Sequence, residues 1–341
     1  HTRTLGQSLA SSRVRIAKLT GSLSAPERRT TLDKLAHHEL DLVVGTQALL
    51  SQDVRFAKLS LVIVDEQHKF GVVQRARLRV EGSQPHYLVL SATPIPRTVT
   101  MTEFGDLDVS TIRQKPPGRS VVHTYSANRD DLKSWWKFVR KKIDEGRQAI
   151  IIAPRIRNQG EAATNTNGTI DQYEAANTLN ASSSAAYAEE IFEELRSEVL
   201  PQSNVGLLHG RLANEHKISA LNAFASGELH ALVATTVVEV GIDVPNATVM
   251  TILDADRLGL SQLHQLRGRV SRGVHPGYVC AVASAGATAT DNQRLSAIIE
   301  TDDGFELAEL DLKIRGPGDV LGTSQSGLPN MKIASLTDDL E

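Results

Sequence analysis

Short runs of β-branched and aliphatic residues recur along this chain, and the stretches between them have helical spacing. Val14 to Leu19, Leu42 to Val44, Leu61 to Val64 and Tyr87 to Leu90 form one set of such runs. Ala149 to Ala153, Val205 to Leu208, Ala231 to Ala234, Val249 to Leu253 and Tyr278 to Val282 form a second. Runs this short and this apolar read as buried parallel strands. Pro26 to His38 and Asn214 to Ser226 carry helical periodicity between them. Strand and helix in alternation predict α/β architecture, with parallel sheets covered on both faces and ligands at the carboxyl ends of strands.

The two strand sets are separated by Gln114 to Ser120, where Pro116, Pro117 and Gly118 can continue neither a helix nor a central strand. This predicts a first domain over 1–115 and a second over 116–286. Residues 158–186 are rich in Asn, Ala, Ser and Thr without apolar periodicity, which predicts a flexible surface insertion. Beyond residue 287, Arg294 to Glu300 and Glu306 to Leu312 read as two short helices packed on the second domain. At 341 residues the chain is long enough for two cores.

A content of 40% hydrophobic and 23% charged residues with net charge −3 is that of a globular chain, neither disordered nor embedded in a membrane. No leader pattern is read at the N-terminus, so the expected compartment is the cytoplasm. The single cysteine, Cys280, excludes a disulfide within the chain and lies in an apolar stretch that predicts a core position. The eleven histidines show no metal-ligand spacing. Mild acidity does not exclude nucleic acid, which needs only a local basic track.

Four segments place polar chemistry at strand ends. Leu61-Val62-Ile63-Val64 leads into Asp65-Glu66-Gln67-His68, where two adjacent carboxylates can hold Mg²⁺ and orient an attacking water; solvated acids at an ordinary strand end are the alternative. Tyr87 to Leu90 ends in Ser91-Ala92-Thr93, small hydroxyls able to bond to those acids. Ala234 to Pro245 carries Thr235 and Thr236, then Gly241 and Asp243, residue types suited to phosphate and nucleotide contacts. His209-Gly210-Arg211 follows Val205 to Leu208 in a similar strand-end loop, and each of these last two could equally be a structural turn. In Gln262 to Arg272, Arg269 and Arg272 are spaced to share one helix face and could clamp a γ-phosphate, although a charge cluster by itself favours an exposed basic helix face. Trp135-Trp136 beside Arg140-Lys141-Lys142 reads as core packing under a solvated charged face, with base stacking as the alternative.

In this order the segments resemble helicase superfamily 2, and within it the RecG branch-migrating DNA helicases. Thr93-Pro94-Ile95-Pro96-Arg97-Thr98, Pro116-Pro117-Gly118-Arg119, Arg257-Leu258-Gly259-Leu260, Asp303-Gly304-Phe305, and the tail from Asp311 through Gly327 carry the narrower resemblance. It implies two RecA-like domains in tandem, the first incomplete, and a C-terminal translocation hairpin over 287–341. The partner implied is branched double-stranded DNA, acted on by a monomer that uses ATP and Mg²⁺. Asp65 would hold the metal through the nucleotide, Glu66 would position water, and Arg269 and Arg272 would stabilise phosphate charge. Gly241 and Asp243 would touch nucleotide. Gln67, His68, Ser91, Thr93, Gln265, Arg294, Arg315 and Gln325 would couple nucleotide state to movement. Thr20, Gly21, Thr46, Gln47, His209, Thr235 and Thr236 would contact DNA. The transcription-repair coupling factor shares the hairpin, but its usual box is Asp-Glu-Glu-His, and Gln67 favours RecG.

Two departures accompany the resemblance. Ser271 stands where the usual Gly-Arg-Val-Gly-Arg has its second glycine. No Gly-x-x-x-x-Gly-Lys-Ser/Thr occurs, so no phosphate-cradling nest is encoded here. The expectation is a fragment beginning just after that loop and lacking the family's wedge domain, poor at ATP hydrolysis alone. A catalytically silent DNA-binding module is the other reading.

Overall fold

The computed structural model describes residues 1–65, 85–91, 108–112, 114, 120–154, 185–235, 244–284, 286–287 and 289–315. The chain divides into two compact units, His1–Ala92 and Thr93–Glu341. The proline-rich break expected at 114–120 falls almost wholly outside the described residues, as does the segment 158–184; Ala185 and Ala186 are already helical.

In the first unit, α1 (Thr2–Ser8), β1 (Ile16–Leu19), α2 (Ala25–Ala36) and β2 (Leu42–Gly45) are followed by a 3-10 turn (Gln47–Leu50), β3 (Leu61–Asp65) and β4 (His86–Leu90). Local chemistry sets the start of α2. Pro26 lies in its first turn, and the Glu27 carboxylate accepts from the Ser24 amide at 3.1 Å and hydroxyl at 2.6 Å. Parallel pairing joins β1 to β2 and β3 to β4.

The parallel strands were expected; their burial is only half right. Leu61 and Ile63 of β3 and Leu88 and Leu90 of β4 are exposed, while Val62 is buried. Side chains alternate across a strand, so burial on both faces requires cover on both faces. Among the described residues β3 and β4 have each other as sole strand partners.

The second unit has that cover. Its six strands are β5 (Val122–Ala127), β6 (Gln148–Ile152), β7 (Val205–Leu208), β8 (Ala231–Ala234), β9 (Ala247–Ile252) and β10 (Gly277–Val282). They form one parallel sheet in the order β5-β10-β9-β6-β8-β7. β5 was not read from the sequence: Val122-His123-Thr124-Tyr125-Ser126-Ala127 is half polar, as suits an outer strand.

The period-two rule divides the core in two. Ile150, Ile152, Leu232, Met250 and Ile252 face α5 (Asn214–Ala225), α6 (Leu260–Arg267), α7 (Ala289–Glu300) and α8 (Gly304–Arg315). Ile151, Val233, Val249, Cys280 and Val282 face α3 (Leu132–Asp144) and α4 (residues 185–194), which ends in a π turn over Leu195–Val199. Cys280 is thus a core residue, and burial pushes its thiol up to about 12. Trp135 is buried and donates from Nε1 to Thr251 Oγ1 at 2.8 Å. The tail does pack on this unit: Leu295, Ile298 and Leu307 join the core under α6.

Candidate nucleotide and nucleic-acid site

Parallel register brings the strand-end residues together in pairs. Leu19 lies opposite Gly45, so Thr20-Gly21 and Thr46-Gln47 leave adjacent strands side by side, and the Thr46 amide donates to Leu19 O at 3.3 Å. A Cβ on Gly45 would fall 2.2 Å from that same oxygen, so only glycine allows this approach. Thr20 Oγ1 and Ser22 Oγ are 3.0 Å apart, and Gly21 is exposed. Two hydroxyl-bearing turns thus share one edge of the first unit, where backbone and side-chain donors can meet an anionic strand.

Asp65 lies opposite Leu90, one residue before Ser91, at the carboxyl ends of β3 and β4. The Asp65 carboxylate is half exposed and meets His1 Nε2 at 2.9 Å. An accessible carboxylate oxygen at a strand end fits Mg²⁺, which prefers hard oxygen donors and is commonly held by one carboxylate together with substrate phosphates. Among the described residues no cluster of His, Cys, Asp or Glu forms a metal site by itself. Glu66, Gln67, His68 and Thr93 lie outside the described residues.

In the second unit Leu208 lies opposite Ala234, which places His209 beside Thr235; the Thr235 amide donates to Leu208 O at 3.2 Å. Both side chains are buried. His209 Nε2 is 3.2 Å from Glu189 Oε1, and Nδ1 has no hydrogen-bond partner among the described residues. Burial pulls the His209 pKa below the ordinary value, with Glu189 acting in the opposite sense. Thr236, Gly241, Asp243 and Gln325 lie outside the described residues.

The arginines expected on one helix face are not on a helix. α6 ends at Arg267, with Gly268 as its cap, and Arg269 and Arg272 follow in an irregular turn. Ser271 within it has φ 57°, the left-handed region that disfavours a side chain. A glycine at this position would be relaxed. Ser271 is held instead by a short hydrogen bond from its hydroxyl to His275 O and one from its amide to Ala247 O at 3.2 Å. These two bonds hold the serine in a conformation that glycine would adopt without strain.

Gln265 is half-buried on α6. Arg294 on α7 donates to Asp256 O at 3.4 Å and pairs with Asp291 at 3.3 Å, while Asp256 accepts from the Ser284 amide and hydroxyl, both at 2.6 Å. α7 is thereby tied to the ends of β9 and β10. Arg315 is the last residue of α8.

Two polar clusters were missed in the sequence. Arg267 is buried and donates to Ile298 O at 2.7 Å and Thr301 O at 2.9 Å, with His264 Nδ1 at 3.0 Å. It fastens the arginine-bearing segment to the end of α7. The signal was available, because Arg267 falls on the apolar stripe set by Leu260, Leu263 and Leu266. The second cluster joins Arg129, Tyr187 and Asp254. Arg129 Nη2 donates to Asp254 Oδ1 at 3.0 Å and to Tyr187 Oη at 2.7 Å. Asp254 is buried in the left-handed region, φ 47°. Burial, then Asp254, pushes the Tyr187 phenol up to about 12. No local pattern links residues so far apart in sequence.

These strand ends can be set beside known proteins. Residues 1–102 match the DEAD/DEAH box helicase family, residues 137–274 the helicase conserved C-terminal domain, and residues 301–341 the C-terminal part of domain 3 of the ATP-dependent DNA helicase RecG. The chain is 44% identical over 326 residues to the ATP-dependent DNA helicase RecG of Bacillus subtilis, a match covering 96% of this chain and 45% of that protein. Identity to the Mycobacterium tuberculosis RecG is 45% over 341 residues, covering 97% of this chain and 44% of that one. Over nearly its whole length this chain is similar to RecG helicases.

Structure agrees with sequence. RecG bound to a three-way DNA junction aligns over 99% of this chain and 40% of its own, with TM-score 0.67 and 37% identity. The Mycobacterium smegmatis helicase Lhr, at 18% identity and TM-score 0.55, shares the fold. The chain spans less than half the length of the RecG relatives it matches. Within it, the match to RecG domain 3 begins at residue 301, so α8 falls inside it and α7, whose end Arg267 fastens to α6, comes just before.

Proposed function

We propose that this chain is the motor portion of a RecG-type DNA translocase that remodels branched DNA at the expense of ATP. The observation that carries the reading is the convergence of polar strand ends set by register: Thr20 level with Thr46, His209 level with Thr235, and Asp65 opposite Leu90, one residue before Ser91. Doubly wound folds bind ligands at carboxyl strand ends, and the RecG relative aligned with this chain is bound to a three-way junction.

In this reading Asp65 holds Mg²⁺ through the nucleotide, and Mg²⁺ supplies charge neutralisation at the phosphates. Glu66 orients the attacking water. Arg269 and Arg272 stabilise developing phosphate charge, and Gly241 and Asp243 touch the nucleotide. Thr20, Gly21, Thr46, Gln47, His209, Thr235 and Thr236 line the DNA track. Gln67, His68, Ser91, Thr93 and Gln265 relay nucleotide state, and Arg294, Arg315 and Gln325 pass it through α7 and α8. The protein acts as a monomer in the cytoplasm. Among the described residues no helix is long and apolar enough to cross a membrane.

The match of residues 301–341 to RecG domain 3 favours this reading over the coupling factor. Lacking a phosphate-loop sequence, the 341-residue chain is expected to bind branched DNA without appreciable hydrolysis. DNA-stimulated ATPase, measured on this chain beside a form extended at its N-terminus, tests the proposal. Turnover by the extended form, lost on Asp65→Asn, supports it. Robust turnover by the short form overturns the assignment of the missing loop, and failure of both to bind a junction overturns the function.

A further inference from the structure

The outer edge of the larger sheet displays rings that the motor reading does not use. β5 is an end strand, bonded only to β10 among the described residues. Val121, just before it, and His123 and Tyr125 within it alternate along the chain and so project to the α3 side. All three are exposed, Val121 at 66% and Tyr125 at 47%. The rings continue inward from them. His123 stacks on Tyr278 with centroids 5.6 Å apart, and Tyr278 meets Phe138 edge-on at 4.9 Å. Phe138 stacks on Trp135 at 5.2 Å, and Trp135 lies 6.2 Å from Tyr125. The ladder therefore runs from solvent into the core and back to solvent, with His123 and Tyr125 as its open ends.

Charge at this edge opposes that of the whole molecule. Residues 129–147 hold seven cationic and four anionic side chains, in a chain of net charge −3. Lys142 keeps its ammonium 5.6 Å from the Phe138 ring centre and 5.3 Å from that of Tyr278, while also pairing with Glu145 at 2.7 Å. Lys133, Lys137 and Lys141 form an exposed stripe along α3, about 6 Å apart by the helical rise. Asp130 and Asp131 stand before its first turn.

We propose that this edge is a binding surface for single-stranded nucleic acid, with unpaired bases stacked on His123 and Tyr125 and phosphates drawn to Lys141 and Lys142. Open aromatic faces beside flexible cations are what a single strand uses, because every base offers a π-face and the backbone tracks positive charge. A duplex buries its base faces and gains nothing from the rings. A peptide strand added to β5 would use its free backbone edge, yet neither the rings nor, unless acidic, the lysines. Within the larger unit this surface lies at the opposite edge of the sheet from β7, which leads to His209, so it would serve a strand displaced from the duplex.

Fluorescence anisotropy on the intact 341-residue chain tests this, with labelled oligothymidylate and a blunt duplex measured side by side. His123→Ala with Tyr125→Ala should weaken oligothymidylate binding by about five-fold or more per stacked base, leaving duplex affinity unchanged at a temperature where the variant is still folded. Lys141→Glu with Lys142→Glu should flatten the salt dependence for the single strand. In the unaltered chain, a 5-iodouracil-substituted strand should crosslink at His123 or Tyr125. Crosslinks only elsewhere, an unchanged affinity in the ring variant, or displacement by polyglutamate at equal charge overturns the proposal. Loss of duplex binding alone counts against the motor reading instead.

Discussion

The two units of this chain carry the same sequence grammar and reach different degrees of burial. In the larger unit every residue of β6 is buried, because β9 and β8 flank it and helices cover both faces. In the smaller unit β3 is no less aliphatic, yet Ile63 is 55% exposed where Ile151 is 0%. An apolar run announces a strand through its own side chains. Whether that strand is a core strand depends on neighbours supplied from elsewhere, and burial, not strand identity, carries the hydrophobic stabilisation.

The sharpest way to break this comparison is to truncate both isoleucines. Ile151→Ala should cost about 2–5 kcal/mol in the unfolding of the larger unit, and Ile63→Ala much less, measured by denaturant titration with a probe in each unit. Equal costs would mean that the exposed face of β3 is covered in solution. Nearly as large an effect is expected from Arg267→Ala. It strips the donors from Ile298 O and Thr301 O in a buried site, at about 2–4 kcal/mol, and hydrogen exchange should rise along α7 and α8 while β6 stays protected.

Gly45→Ala is the matching test in the smaller unit. A Cβ at 2.2 Å from Leu19 O forces β1 and β2 apart, at about 1–3 kcal/mol, and junction binding should weaken with it if Thr20 and Thr46 line the track. Acid titration comes next. Burial lowers the His209 pKa in the folded state, so the unfolded chain binds the extra proton. Stability from this residue is complete above the unfolded value near 6.5 and declines as pH falls below it. His209→Gln should flatten that decline in the larger unit and leave the smaller one unaltered. The smallest effects are at Ser271. Ser271→Ala keeps the left-handed backbone but loses the hydroxyl's bond to His275 O, at about 1 kcal/mol. Ser271→Gly relieves the strain while losing the same bond, so thermal melting should shift less than for alanine.

Much of this fold was legible because its code is local. The apolar strands, the capped helix α2, the core cysteine and the buried Trp135 follow from spacing and side-chain type alone. The strand Leu61–Asp65 and the helix Leu260–Arg267, which carry two of the proposed sites, were legible for the same reason. Failures fall where distance in sequence matters. β5 is half polar and is a strand because β10 pairs with it. Arg269 and Arg272 have helical spacing, but the helix ends at Gly268 before them and the left-handed Ser271 turns the chain between them. The Arg129–Tyr187–Asp254 cluster joins three separate segments that only the folded sheet brings together.

Trp135 and Trp136 are the two tryptophans of the entire chain, and both stand on α3. Intrinsic emission is therefore a report from one side of one unit. The buried indole, with its N–H bonded to Thr251, will register melting of the larger sheet and any occupant of the β5 edge. Events at the Thr20–Thr46 turns or at Asp65 are optically silent, and a ligand titration followed at tryptophan wavelengths would miss them unless a fluorophore is introduced into the smaller unit.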